Sequence, residues 1–166
     1  MGIAELSSER LRLKKPGPSD SDALIRQLDD WEVARWLSRV PHPYTQSDVD
    51  DWQTGGLQGE LDFYIYRDAS LIGGVGLTLE DDGYYELGYW VGREYWGNGY
   101  ATEAAQCLLN YARNELGITR FTSGYMVGNE QSGKVLQKLG FQPDGEAEIF
   151  SVARGESVKS IRVRLT

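Results

Sequence analysis

Two glycines, Gly97 and Gly99, lie between a strand pattern and a long helix pattern, where they could shape a phosphate site. Glycine allows a positive φ and lets the backbone approach a ligand closely. At the start of the following helix, successive backbone N–H groups point outward together, and the helix dipole adds a partial positive charge. The segment could equally be a tight turn that binds nothing, so the loop alone leaves both interpretations open.

Two other phosphate-binding loops do not fit this segment. Gly92 and Gly97 have the spacing of a Walker A loop, but Asn98-Gly99 stands where that loop needs lysine followed by serine or threonine. Gly97 and Gly99 fit the start of the dinucleotide-binding pattern, but Thr102 occupies its last position, which needs glycine or alanine. The strands before the loop also predict an antiparallel arrangement, whereas a dinucleotide-binding sheet is parallel.

The elements around the loop are predicted from the spacing of apolar residues and from the turn residues. Alanines and leucines recur at helical spacing from Ala101 to Ala112, and Gly117 ends this helix. Three strand patterns precede the loop, at Leu61–Arg67, Leu71–Leu79 and Tyr84–Val91. Short turns separate them, which predicts an antiparallel meander that ends at the glycine loop.

Further elements are predicted on both sides of this centre. Leu11 and Leu13 alternate with polar residues as in a short strand, and Ser19 with Asp22 forms a capping box that opens a helix through Leu28. The other predicted segments are helices at Glu32–Leu37, from Ser47 to Gly55-Gly56 and at Gln131–Leu139, and strands at Ile118–Val127, Ala147–Ala153 and Ser157–Leu165. This order predicts an α/β (α+β) fold with a mostly antiparallel central sheet flanked by helices, in a single domain over residues 1–166.

Composition and charge argue against several functional classes. The net charge of −8 disfavours nucleic acid and an anionic membrane as partners, since both demand a basic face. No apolar run approaches the ~20 residues of a membrane span. Cys107 is the only cysteine, so no intrachain disulfide can form, which fits a reducing compartment such as the cytoplasm. His42 is the only histidine, which excludes a histidine-based metal site, and no metal is predicted.

Four segments carry a resemblance to a known family. They are Arg10-Leu11-Arg12-Leu13, Glu86-Leu87-Gly88-Tyr89-Trp90-Val91, the segment from Tyr95 to Ala104 and the segment from Asn129 to Phe141. In this order they resemble the GNAT superfamily of N-acetyltransferases, and within it the RimJ/RimL-like branch that acetylates N-terminal amines of ribosomal proteins. The superfamily loop is Gln/Arg-x-x-Gly-x-Gly/Ala. Gly99 and Ala101 match this pattern. Trp96 stands at its first position in place of Gln or Arg, and a tryptophan there resembles the RimJ/RimL-like branch.

The resemblance implies a binding site for acetyl-CoA as cosubstrate. Backbone amides from Gly97 to Thr102 would bind the pyrophosphate, the edge of Tyr89–Val91 would pair with the pantetheine arm like an added strand, and Asn129 would hydrogen-bond the pantetheine amides. The residues implied in cofactor binding are Tyr89, Trp90, Val91, Trp96, Gly97, Asn98, Gly99, Tyr100, Ala101, Thr102 and Asn129.

The same resemblance implies direct transfer of the acetyl group to a primary amine. Glu86 is the candidate base, acting through water, although a carboxylate on this strand could instead orient the substrate or face solvent. A backbone N–H near Val91 is expected to stabilise the oxyanion. For the leaving thiolate, many members place a tyrosine where this chain has Leu136, whereas Ser132 resembles the serine that this branch uses near the thiol. Ser132 could equally cap a helix.

The acceptor is predicted by class only. A protein N-terminal α-amine is favoured, with a small-molecule amine such as a polyamine, aminoglycoside or amino acid as the alternative. An α-amine has a pKa of about 8 and needs less help from a base than a lysine at about 10.4. A non-catalytic acyl-CoA-binding module on the same fold is a further hypothesis, and assembly as a homodimer is left open.

Overall fold

The computed structural model describes residues 5–15, 17–53 and 59–166. Within these ranges the chain forms eight strands and five α-helices. The strands are β1 (Glu5–Ser7), β2 (Arg12–Lys14), β3 (Asp62–Arg67), β4 (Ser70–Leu79), β5 (Tyr85–Val91), β6 (Phe121–Met126), β7 (Gln142–Ser151) and β8 (Glu156–Leu165). The helices are α1 (Ser21–Leu28), α2 (Trp31–Ala34), α3 (Gln46–Gln53), α4 (Tyr100–Leu116) and α5 (Glu130–Lys138).

The eight strands form one sheet in the order β1-β2-β3-β4-β5-β6-β8-β7. Neighbouring strands are antiparallel except β5 and β6, which run parallel. A parallel pair needs a crossover connection, and α4 supplies it. The predicted fold class is therefore confirmed, including the antiparallel meander β3-β4-β5 that leads to the glycine loop.

The two faces of the sheet bury different helices, because successive strand residues point to opposite sides. On one face, here called the α4 face, Leu108 of α4 and Leu136 of α5 pack with Phe121 of β6. On the opposite face, called the α1 face, Leu24 of α1 packs with strand residues such as Tyr64. None of the helices in the described ranges is long and apolar enough to cross a membrane.

Some element ends differ from the sequence predictions. The predicted capping box of Ser19 and Asp22 is wrong: Pro18–Asp20 forms one turn of 3-10 helix, and α1 begins at Ser21. The Asp20 carboxylate accepts a hydrogen bond from Gly17 N over 2.8 Å, which closes that turn before the α-helix begins.

The predicted boundaries of α2, α3 and β7 can also be compared with the structure. Helix α2 is shorter than predicted and begins after Asp30, whose side chain accepts from Glu32 N. The predicted end of the third helix at Gly55-Gly56 lies outside the described residues. Strand β7 begins five residues before the predicted Ala147, with a register shift between Pro143 and Glu146 that the alternation of apolar residues does not reveal.

The parallel strands β5 and β6 separate soon after they meet. Only two residue pairs align in register, Tyr85 with Phe121 and Glu86 with Thr122. Ser123 of β6 then donates its hydroxyl to the Leu87 carbonyl over 2.8 Å, in place of a main-chain pair. Beyond this point the edge of β5 up to Val91 faces a gap, and the gap leads toward the glycine loop. This gap positions the candidate site.

The close packing between β4 and β5 gives a test of stability. A Cβ at Gly73 would lie 2.3 Å from the Trp90 carbonyl oxygen, whereas a Cβ at Gly88 would meet no heavy atom within 4 Å. We expect Gly73→Ala to lower the free energy of unfolding by about 1–3 kcal/mol through overpacking. Gly88→Ala on the paired strand is the control and should change it by less than about 0.5 kcal/mol. Urea denaturation of both variants measures the difference, and equal losses would contradict the packing described.

Candidate active site

The start of α4 presents uncapped backbone amides at the glycine loop. Gly97 and Gly99 have φ values of 79° and 76°, in the left-handed region that glycine adopts without strain. Gly99 is the N-cap residue, and no side chain makes a capping hydrogen bond there. The amides of Tyr100 to Thr102 precede the first hydrogen bond of the helix, which Glu103 N donates to the Gly99 carbonyl over 3.1 Å. These amides and the helix dipole suit an anionic group such as a pyrophosphate.

Arg10 fastens this loop to the first turn of α4. Its Nε donates to Glu103 Oε1 over 2.7 Å, its backbone N donates to Oε2 over 2.8 Å, and a terminal nitrogen donates to the Asn98 carbonyl over 2.9 Å. The guanidinium also lies 4.6 Å from the centre of the buried Tyr100 ring. Partial burial alone would raise the pKa of Glu103, but hydrogen bonds from Ser8 and Arg10 outweigh it and lower that pKa. The loop is thus held by an ionised pair beside the predicted phosphate site.

Trp96 and Asn98 hold the loop in shape from within. The Trp96 indole Nε1 donates to the Val91 carbonyl over 2.7 Å, which ties the loop back to the end of β5. Asn98 Nδ2 donates to the carbonyls of Tyr95 and Trp96 over 3.0 and 3.2 Å. Both side chains are therefore engaged with the loop itself, and each supports the backbone that would meet the cofactor.

Backbone groups of Tyr89 and Val91 face the gap beside β5. Gly92 N donates toward β4, to the Ile72 carbonyl over 2.9 Å, whereas Tyr85 N donates toward β6 over 3.1 Å. Main-chain groups alternate between the two sides of a strand, so Tyr89 and Val91 share the β6 side with Tyr85. Apart from the Val91 carbonyl, which accepts from the Trp96 indole, that edge can pair with an extended amide-containing chain as another strand would.

The structure does not bring Trp90, one of the predicted cofactor residues, to this edge. Its carbonyl lies against Gly73, and a Cβ at Gly74 would lie 2.5 Å from its indole Nε1. The indole covers β4 on the α1 face and contacts Tyr64, with 6.5 Å between ring centres. Alternation along β5 thus sends Trp90 to the side of the sheet opposite α4.

Helix α5 begins beside the open edge of β5. Asn129 is its N-cap residue, and Asn129 Oδ1 accepts a hydrogen bond from Ser132 N over 3.4 Å. Asn129 therefore has the capping role that Ser132 could have had, and its amide nitrogen stays a potential donor. The Ser132 Oγ lies 2.7 Å from the Tyr89 hydroxyl. Leu136, at the position where many family members have a tyrosine, has no hydroxyl to offer and is buried in the core.

Glu86 lies at the closed end of the gap, on the α1 face. Its Oε2 accepts a hydrogen bond from an Arg162 terminal nitrogen over 2.6 Å, and about 29% of its side chain is exposed. Its Oε1 has no hydrogen-bond partner among the described residues. The neighbouring Gly88 is exposed, with open space where a Cβ would stand. The site therefore combines a paired carboxylate with room for a small group next to it.

A second carboxylate, Asp62, lies on the same face. A Cβ at Gly76 would lie 2.0 Å from Asp62 Oδ1, so the Asp62 carboxylate covers Gly76, the residue that pairs with Gly88. Burial raises the pKa of Asp62, although Gly59 N donates to it over 2.6 Å. Burial and the charge of Glu86 likewise raise the pKa of a nearby Glu80. In the described ranges no three His, Cys, Asp or Glu residues are grouped as metal ligands.

Several of these partners were not predicted from the sequence. Arg10 belongs to a family-like segment, but nothing in its local pattern indicates a contact with Glu103. Arg162, which pairs with Glu86, lies on an alternating strand without a motif. Asp62 had one available signal, because a glycine such as Gly76 inside a strand often marks the close approach of another group.

A match to a known protein family identifies the family of this chain. The model of the acetyltransferase (GNAT) domain matches residues 10–142, so the chain belongs to the GNAT acetyltransferase family. N-acetyltransferase p20 of Bacillus licheniformis, itself uncharacterised, is 28% identical over 161 residues, which cover 92% of this chain and 90% of p20. The [ribosomal protein uS5]-alanine N-acetyltransferase of Escherichia coli (strain K12) is 31% identical over 80 residues, 48% of this chain and 41% of that protein.

Solved structures show the same fold. A GNAT-family acetyltransferase from Bacillus anthracis superposes with a TM-score of 0.84 at 22% identity and covers 97% of both chains. RimL, a ribosomal L7/L12 alpha-N-protein acetyltransferase in complex with coenzyme A, has a TM-score of 0.77 at 19% identity, with 95% and 96% of the two chains covered. The resemblance predicted from the sequence is confirmed, with ribosomal-protein acetyltransferases among the relatives.

The role of Arg10 can be tested by coenzyme A binding. We expect Arg10→Ala to weaken the affinity about tenfold, because a charge-assisted contact that orders the loop is lost. Arg12→Ala is a matched control, since Arg12 is exposed and lies 3.7 Å from Glu5 at the distant edge of the sheet. Isothermal titration with coenzyme A measures both variants. Equal weakening by the two substitutions would point to overall charge and against a specific contact.

Proposed function

We propose that this protein transfers an acetyl group from acetyl-CoA to a protein N-terminal α-amine, by direct attack of the amine on the thioester. The observation that carries the proposal is the continuity of the site: uncapped amides of α4, the open edge of β5 and Glu86 follow one another along a single strand and loop. Coenzyme A has the same order of groups, from pyrophosphate through pantetheine to thioester.

The cosubstrate is proposed to follow that order. Its pyrophosphate would bind the amides from Gly97 to Thr102, and its pantetheine would pair with Tyr89 and Val91. Asn129 would donate its amide to a pantetheine carbonyl. The thioester would then lie where β5 and β6 converge, within reach of Glu86. In this arrangement the acceptor approaches from the α1 face, where Gly88 leaves room.

The reaction steps follow from the groups near the thioester. The amine passes its proton through a water molecule to the free oxygen of Glu86, while Arg162 fixes the other oxygen. A backbone N–H of the open edge next to the thioester, on the Tyr89 side of Val91, stabilises the oxyanion of the tetrahedral intermediate. Ser132 provides a hydroxyl near the departing sulfur. No covalent enzyme intermediate is required, because the amine and the thioester meet directly.

Three observations favour an α-amine as the acceptor. Glu86 and Gly88 are accessible on the α1 face, and a chain end can enter such a site without being enclosed. The carboxylates Glu86 and Asp62 attract a cationic group. Two relatives are named for acetylation of ribosomal proteins. Cytoplasmic location accords with such a substrate and stays a prediction.

The acceptor class can be tested by a panel measured through release of coenzyme A. The panel holds peptides with a free N-terminus and no lysine, N-terminally blocked peptides with one lysine, polyamines and aminoglycosides. We expect the free N-terminal peptides to give the highest kcat/KM, rising with pH and levelling near pH ~8 as the α-amine becomes neutral. Faster turnover of polyamines or aminoglycosides would favour the small-molecule alternative. Coenzyme A binding without turnover of any amine would favour a binding module.

The role of Glu86 can be tested by a substitution that keeps its shape. Glu86→Gln should lower kcat/KM about a hundredfold, in the range that a general base contributes, and leave coenzyme A affinity unchanged. Glu146→Gln is the control: Glu146 also faces a basic side chain across strands, Lys159 at 3.7 Å, but lies on β7 away from the gap. Steady-state kinetics on the best acceptor measure both. Unchanged turnover in Glu86→Gln would remove Glu86 from the mechanism.

A further inference from the structure

A hydrogen bond between Tyr89 and Ser132 joins β5 to α5 beside the open edge. The Tyr89 hydroxyl lies 2.7 Å from Ser132 Oγ and 3.2 Å from the Ser132 carbonyl oxygen. A phenol has one hydrogen and donates it to one acceptor at a time. When the Tyr89 phenol donates to Ser132 Oγ, the serine hydroxyl accepts this bond, and its own hydrogen can form a hydrogen bond with another group.

Neighbouring contacts hold this pair in place. Ser132 N donates to Asn129 Oδ1, which fixes the first turn of α5. A Cβ at Gly133 would lie 3.0 Å from Cζ of Tyr125, so this turn is packed directly against β6. Burial raises the pKa of Tyr89 to about 12. The phenol therefore keeps its hydrogen at neutral pH and stays a donor.

We propose that Tyr89 is a positioning residue for departure of the thiolate: its hydroxyl donates to Ser132 Oγ and so turns the Ser132 hydrogen toward the sulfur of coenzyme A. The inference rests on the proposed function, which brings the sulfur to the end of the open edge of β5. Tyr89 then has two separate roles, since its backbone pairs with pantetheine and its side chain orients the serine.

The bonds and charges of the step balance without an additional reactant. When the tetrahedral intermediate collapses, the carbonyl re-forms, the carbon–sulfur bond breaks, and its electron pair moves to sulfur. The proton of the attacking amine passes through water to the Glu86 carboxylate. Ser132 stabilises the new charge through a hydrogen bond and keeps its own proton. The thiolate takes a proton from solvent, because a free thiol has a pKa of about 8.5.

The test measures the thiol of coenzyme A bound to the protein, so it needs no acceptor. The pH dependence of alkylation by iodoacetamide gives the pKa of the bound thiol, and quantifying the alkylated coenzyme A keeps any reaction of Cys107 out of the signal. Tyr89→Phe and Ser132→Ala should each raise that pKa by about 1, a tenfold change in the ionisation constant. The double variant should raise it no further than Ser132→Ala alone, because Tyr89 acts through Ser132.

Tyr125→Phe is the matched control, since this phenol packs on the same turn of α5 but has no hydrogen bond to Ser132 among the described residues. It should leave the thiol pKa at the wild-type value. In turnover, Tyr89→Phe should lower kcat about tenfold with an unchanged KM for acetyl-CoA. A wild-type thiol pKa in Tyr89→Phe, or an equal rise in Tyr125→Phe, would overturn the inference while coenzyme A binding stays intact. A wild-type protein that binds no coenzyme A would overturn the proposed function, and this inference with it.

Discussion

The separation of β5 from β6 is the constraint on which the rest of the site depends. Two residue pairs align, and then Ser123 takes the Leu87 carbonyl with its hydroxyl, so the main-chain ladder stops. From that point to Val91, β5 has a paired strand on one side only, the β4 side. The glycine loop, the start of α4 and the start of α5 all border the same gap, and Glu86 marks its closed end. A ladder continued to Val91 would fill this space with protein.

Alternation along β5 then divides the chemistry between the two faces of the sheet. Tyr89 points to the α4 face, where it meets Ser132, whereas Glu86 and Trp90 point to the α1 face. Gly76 and Gly88 have no side chains to project from the α1 face, and the Asp62 carboxylate covers Gly76. A thioester lying in the gap would thus have its leaving group and its attacking amine on opposite sides. One strand positions both, because its side chains alternate.

Periodic patterns in the sequence predicted most of the fold, but few of the contacts that form the site. The long repeat of α4 and the turns between β3, β4 and β5 were predicted closely, whereas the start of α1 depended on a local contact between Asp20 and Gly17. The glycine loop was recognisable because its conformation needs particular residues in order. The pairs Arg10–Glu103, Glu86–Arg162 and Tyr89–Ser132 join residues 93, 76 and 43 positions apart. Such contacts form only when the sheet has assembled, so no local sequence pattern predicts them.

The open edge of β5 also has a consequence for the folded state itself. An unpaired strand edge is a place where another chain can add, and here it lies in the middle of the sheet instead of at its border. In the proposed complex the pantetheine arm completes the interrupted ladder and covers that edge. A ligand that binds only the folded chain stabilises it in proportion to the logarithm of its concentration over its dissociation constant. Bound acetyl-CoA would then both stabilise the folded chain and block the strand edge at which a second chain could pair.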